Sequence, residues 1–197
     1  MSTNIYAGIG SRQTPAVVLQ AMSYIGGALS LIGFTVRSGG ADGADTAFTS
    51  FVTKPELMEV YIPWKNFNNV KNGIVTGNIE DAEMIVQDVH PAWQRCSSGA
   101  RKLHTRNVFQ VLGPEPISNP IPVDFVCCYT KDGIVTGGTA TAINIAKQHN
   151  IPIFNFGDYE HIIGLHNPDK DNIDSSTVVD LIVVFSTWLS ITKGIEL

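Results

Sequence analysis

The chain has 197 residues, 44% of them hydrophobic and 16% charged, enough apolar sequence for a sizeable core and too much for an intrinsically disordered chain. Its formal charge of −5, from 13 Lys and Arg against 18 Asp and Glu, counts against a protein whose main work is gripping a nucleic-acid backbone. The opening "MSTNIYAGIG" lacks the pattern of a signal peptide, and no apolar run reaches the roughly 20 residues that span a bilayer.

The first element is a short apolar strand in "NIYAGIGS", ending in glycines. A helix follows in "TPAVVLQAMSYIGGALSLIG", with Thr14 as cap and Pro15 at its first position; Val18, Ala21, Met22, Ile25, Leu29 and Ile32 share one face, and Gly33 ends it. "FTVRS" reads as the second strand, and a helix starts near Ala44 after a glycine-rich corner. "LMEVYIPW" is a third strand, followed from Lys65 to Asn78 by a polar loop of a length that compact domains usually keep for function. "IEDAEMIVQDVH" and "GARKLHTRNVFQVLG" read as helices, "DFVCCYT" as a strand with two small apolar cysteines, "TATAINIAKQHN" as a helix and "IPIFNF" as the last strand. Cys96, Cys127 and Cys128 form neither a disulfide ladder nor a zinc spacing, which points to a reducing, cytoplasmic setting.

Short apolar strands alternating with helices predict an α/β fold: a doubly wound, mostly parallel sheet with helices on both faces. Residues 1–160 form the domain, and 161–197 an extension made of the polar loop "HNPDKDNIDSS" and an amphipathic helix. Val178, Leu181, Ile182, Phe185 and Trp188 give that helix an apolar face, which either folds back on the sheet, the favoured reading, or meets a second subunit. A homodimer or higher homo-oligomer is expected, with no membrane partner, cofactor or metal.

Ligands of such sheets sit beyond the carboxyl ends of the strands, and three corners lie there. In "GIGSRQTP", Gly10 allows a tight turn, Ser11 offers a hydroxyl and Arg12 a cationic fork suited to phosphate. In "RSGGADGAD", Ser38, Gly39, Gly40 and Gly43 let the backbone turn and approach a ligand, while Asp42 and Asp45 either cap the next helix or accept hydrogen bonds from a ribose diol or base amine. In "DGIVTGGTATAIN", Gly137 and Gly138 precede Thr139 and Thr141 as a helix begins, where outward N–H groups and the helix dipole favour a phosphate. A fourth element, "RKLHTRN", places His104, Arg106 and Asn107 on one polar cluster between Leu103 and Val108. Trp64 is a candidate border for a base pocket.

Together "GIGSRQTP", "RSGGADGAD", "HTRN" and "VTGGTATAINIAKQHNIPIFN" resemble the SLOG superfamily, which includes the DNA-processing protein DprA, the LOG phosphoribohydrolases and short phage-encoded DprA-like proteins, the last being the nearest in pattern. The resemblance covers about Asn4 to Gly157 and implies a Rossmann-like domain that binds nucleotides or molecules derived from them. It also implies residence in a host cell's cytoplasm if the chain is phage-encoded. In the LOG pattern Pro-Gly-Gly-x-Gly-Thr-x-x-Glu, this sequence keeps Gly137, Gly138 and Thr141 but has Asn144 at the catalytic glutamate. Arg106 matches the family's catalytic arginine, with Asn107 in place of a lysine.

Cleaving an N-glycosidic bond needs a carboxylate to support oxocarbenium-like charge or to activate water, and asparagine does neither. The preferred expectation is therefore a binder of a nucleotide or nucleotide-derived molecule, as a sensor or sponge. The alternative is an N-glycosidic hydrolase or transferase that draws its carboxylate from Asp42, Asp45, Asp88 or Asp132. DprA-like binding of single-stranded DNA, which needs a basic groove, ranks third.

Overall fold

A computed structural model of the chain describes residues 4–75, 77–159, 161 and 174–197. Five parallel strands, β1 (Ile5–Gly10), β2 (Thr35–Ser38), β3 (Met58–Val60), β4 (Phe125–Tyr129) and β5 (Ile153–Asn155), pair in the order β3-β2-β1-β4-β5. The chain winds outward one way from β1 to β3 and the other way from β4 to β5. The order therefore reverses between β1 and β4, the point where a crevice opens in doubly wound sheets.

Six α-helices among the described residues cover the sheet: α1 (Ala16–Leu31), α2 (Ala44–Ser50), α3 (Ile79–Val89), α4 (Ser98–Leu112), α5 (Gly137–Gln148) and α6 (Ser175–Lys193). Strand alternation decides which side chain meets which layer. Tyr6, Phe125, Cys127 and Tyr129 face α1, α2 and α6, whereas Ala7, Ile9, Val126 and Cys128 face α3, α4 and α5. The result is the predicted doubly wound, Rossmann-like architecture.

Several sequence expectations shift by local detail. Helix α1 starts at Ala16 with Pro15 at the capping position, and Thr14 is not its cap. The Thr14 hydroxyl instead donates to the Ser11 carbonyl (2.7 Å), so it stitches the preceding corner. Ile32 is 47% exposed because α1 ends one residue earlier, while Val18, Ala21, Met22, Ile25 and Leu29 form its buried face. The third strand stops at Val60, and the chain after it adds only a bridge between Tyr61 and Ile74.

Helix α6 folds back on the domain. At 19 residues it is apolar enough to cross a membrane by composition alone, yet it packs beside α1 and places Val178, Leu181, Phe185 and Leu189 in the core. Phe185 lies 5.2 Å from Phe154 and 6.2 Å from Phe125, ring to ring. Residues 166–173 of the expected polar loop lie outside the described residues. Asp174 caps α6 by accepting the Ser176 N–H (3.0 Å).

Candidate functional site

The three corners and the polar face of α4 meet over the crevice between β1 and β4. Gly43 brings the second corner against the first: a Cβ there would lie 2.7 Å from the Ser11 carbonyl oxygen, and its φ of +85° is one that L side chains rarely adopt. The Ala44 N–H points at that same carbonyl (3.4 Å). Ser38 is fully buried, its hydroxyl within 2.8 Å of the Gly8 carbonyl and 3.0 Å of the Asp45 carbonyl. It ties strand to corner rather than facing a ligand.

Asp45 and Arg106 form a buried ion pair at 3.1 Å across this junction. The Asp45 carboxylate also accepts the Gly10 N–H (3.2 Å) and the Ala41 N–H (3.3 Å), so one acid holds two corners and α4 together. Burial pushes this carboxyl up from its ordinary value, and the guanidinium and the two amides oppose that rise. Burial likewise lowers the Arg106 guanidinium, with Asp45 opposing. Gly39 makes the room: a Cβ on it would sit 1.0 Å from Arg106 Nη1. Gln110, one turn along α4, turns its amide oxygen to accept from Arg106 Nη1 (3.1 Å) and the Gly39 N–H (2.8 Å), and donates to Asn107 Oδ1 (2.9 Å). Arg106 Nε, although buried, has no hydrogen-bond partner among the described residues.

The third corner is tied to α4 in the same manner. Asn107 Nδ2 donates to the Gly138 carbonyl (2.8 Å), and His104 Nδ1 lies 2.8 Å from the Thr141 hydroxyl. Partial burial, then His90 and Arg106, hold the His104 imidazolium below its ordinary pKa, favouring the neutral ring. Helix α5 begins at Gly137, and among the described residues no capping bond is made by the side chain of its N-cap residue, Thr136. Gly137 has a φ of +69°, and positions for a Cβ at Gly137 and Gly138 face open space. Bare amides, a helix dipole and an approach free of side chains make this end fit for an anion.

These groups border a cleft of about 600 Å³, the volume of a small-molecule site. Gly10, Ser11, Arg12, Asp45, His104, Arg106, Asn107, Gly137, Gly138 and Thr139 line it, as do Gln110, Tyr129 and Lys131, which the sequence reading passed over. Gln110 was within reach of that reading, since it lies four residues from Arg106 on one helical face. Arg12, Arg106 and Lys131 supply positive charge, and Asp45 is the lone carboxylate among the described lining residues.

Of the remaining expected site residues, Ser38, Gly39, Gly40 and Thr141 stand behind the wall as supports, and Asp42 is exposed outside it. Asn144 is directed away: its Nδ2 donates to the Val89 carbonyl (3.3 Å), joining α5 to α3. Trp64 sits edge-on to Phe67 in the long loop and does not line the cleft. That loop instead packs Phe67, with Ile62, against Ala41 of the second corner.

No protein-family model matches the chain, and no curated protein sequence matches it. Its fold is similar to that of DNA processing protein A from Helicobacter pylori, whose structure was solved for insight into its single-stranded DNA binding mode. The superposition has a TM-score of 0.51 and covers 91% of this chain and 80% of that one at 16% identity. At this identity the likeness is one of fold, and function must be argued from the site.

Proposed function

We propose that the cleft binds a nucleotide or a nucleotide-derived small molecule, with its phosphate at the start of α5. The observation that carries this reading is the juxtaposition, at the reversal of strand order, of the uncapped α5 amides with Arg12 and Lys131. The one carboxylate among the described lining residues, Asp45, is already neutralised by Arg106, so the anion meets little opposition. Likeness to DNA processing protein A and to the SLOG sequence pattern agrees with a role linked to nucleotides or nucleic acid. The chain's net charge of −5 favours the small molecule over the polymer.

A second reading has one specific support. Asp45 and Arg106, a carboxylate and a cation in contact, both face the cleft, which is the pairing that N-glycosidic cleavage needs when the usual glutamate is absent. Against it, both Asp45 oxygens already accept protein hydrogen bonds, which occupies the acid with holding the corners together.

Titration calorimetry with ribo- and deoxyribonucleoside 5′-monophosphates tests the binding reading, with chromatography of the same mixtures for free base. Saturable binding without base release is the expected result. Base release lost in Asp45→Asn would move the assignment to the enzyme. Binding confined to a single-stranded oligonucleotide and steeply weakened by salt would move it to the polymer.

A further inference from the structure

At the wall of the cleft, His104 converges with two side chains that the nucleotide reading does not use, His90 and Cys96. His90 closes α3, Cys96 follows the single turn Trp93–Arg95, and His104 projects from the middle of α4. Their ligating atoms all lie within 4.8 Å of one another, with Cys96 Sγ 4.0 Å from His90 Nε2, and the two imidazole rings pack edge to face at 4.3 Å. We propose that His90, Cys96 and His104 form a three-ligand zinc site at the wall of the cleft.

The donor set argues for the metal. Two imidazoles and a thiolate, with no carboxylate among them, suit Zn²⁺ and disfavour the oxygen-seeking Mg²⁺ and Ca²⁺. Tetrahedral zinc with Zn–N near 2.0 Å and Zn–S near 2.3 Å separates its ligand atoms by about 3.5 Å. Closing separations of up to 4.8 Å to that value takes movements of about 1 Å at the ligand atoms. The outer contacts also orient the ligands. His104 Nδ1 lies 2.8 Å from the Thr141 hydroxyl, and in the tautomer that donates Nδ1–H to it His104 presents the Nε2 lone pair, the arrangement by which second partners fix a metal-bound histidine. Trp93, buried and capped by the Arg101 guanidinium at 5.2 Å, anchors the turn that carries Cys96.

Loading has a proton balance. In the metal-free chain the Ala92 N–H donates to His90 Nδ1 (3.2 Å), so the His90 proton is on Nε2, facing the sulfur. Zinc takes the Nε2 lone pair, the ring proton moves to Nδ1, and the Ala92 amide must turn away. Cys96 gives its thiol proton to solvent, one proton released per metal bound. Three protein ligands leave a fourth position for water or a ligand atom, and His104 is shared by the metal site and the cleft wall.

Cobalt(II), which takes the place of zinc and is coloured, is the probe. Added to the reduced, metal-stripped full-length protein, it is expected to give a near-ultraviolet sulfur-to-cobalt charge-transfer band that saturates at one equivalent and is displaced by zinc. Cys127 and Cys128 are fully buried in β4, so the band reports Cys96. It is expected to vanish in Cys96→Ser, to be lost or displaced in His90→Ala, and to persist in His149→Ala, which alters an exposed histidine elsewhere. Absence of the band in the wild-type protein, or its persistence in Cys96→Ser, overturns the site. The wild-type spectrum decides even if a variant fails to fold.

Discussion

Gly39 has no side chain because the Arg106 guanidinium occupies the space where one would be. Arg106→Ala leaves the Asp45 carboxylate buried without its cation, and the expected loss of stability is about 3–5 kcal/mol. Gly39→Ala evicts the same guanidinium by overlap. Because both changes break one ion pair, the double variant should cost clearly less than the sum of the two, measured by urea denaturation. Full additivity would mean that Gly39 and Arg106 act independently. Tyr61 carries a separate, pH-dependent prediction. Burial and the neighbouring Glu59 push its phenol from 10.0 up to about 12. The unfolded chain therefore ionises first, and stability falls as pH rises through 10 towards 12. In Tyr61→Phe that alkaline fall should be shallower, checked by denaturation across that range.

Adjacent glycines in α1 give opposite expectations at the scale of the element. A Cβ on Gly26 would come within 2.2 Å of the Phe48 carbonyl oxygen, so α1 and α2 must part; one on Gly27 would meet the Phe51 Cβ at 3.1 Å and its carbonyl oxygen at 3.4 Å, the milder contact. Gly26→Ala should lose about 1–3 kcal/mol net of any gain in helix propensity, whereas Gly27→Ala should be close to neutral, since that gain of up to about 1 kcal/mol offsets a mild contact. In α6, Phe185→Ala removes a fully buried ring from an aromatic cluster and should cost about 3–5 kcal/mol by the same denaturation measurement. A loss below about 1 kcal/mol would mean that α6 is peripheral to the fold.

At the scale of the whole molecule, periodicity and turn chemistry made the strand and helix order legible, because each element writes its buried face locally. Val18, Ala21, Met22, Ile25 and Leu29 are an example, and all five are buried. The three corners were legible as glycine clusters for the same reason. What the corners do to one another was not: Asp45 read as a cap or a sugar acceptor, yet it spends its oxygens on Gly10, Ala41 and Arg106, contacts 35, 4 and 61 residues away. His90, Cys96 and His104 escaped for a similar reason, since their spacing matches no familiar zinc pattern and only the packing of α3 on α4 joins them. Phosphate binding by Arg12, Lys131 and the start of α5 is tested most directly by retention. The purified protein is incubated with a mixture of nucleotides, desalted, denatured, and the released small molecules are identified by mass spectrometry. Wild-type protein is expected to retain a phosphate-bearing nucleotide, and Arg12→Ala/Lys131→Ala to release it. No nucleotide retained by the wild type, or equal retention by the double variant, would mean that these cations and the α5 amides hold no nucleotide phosphate.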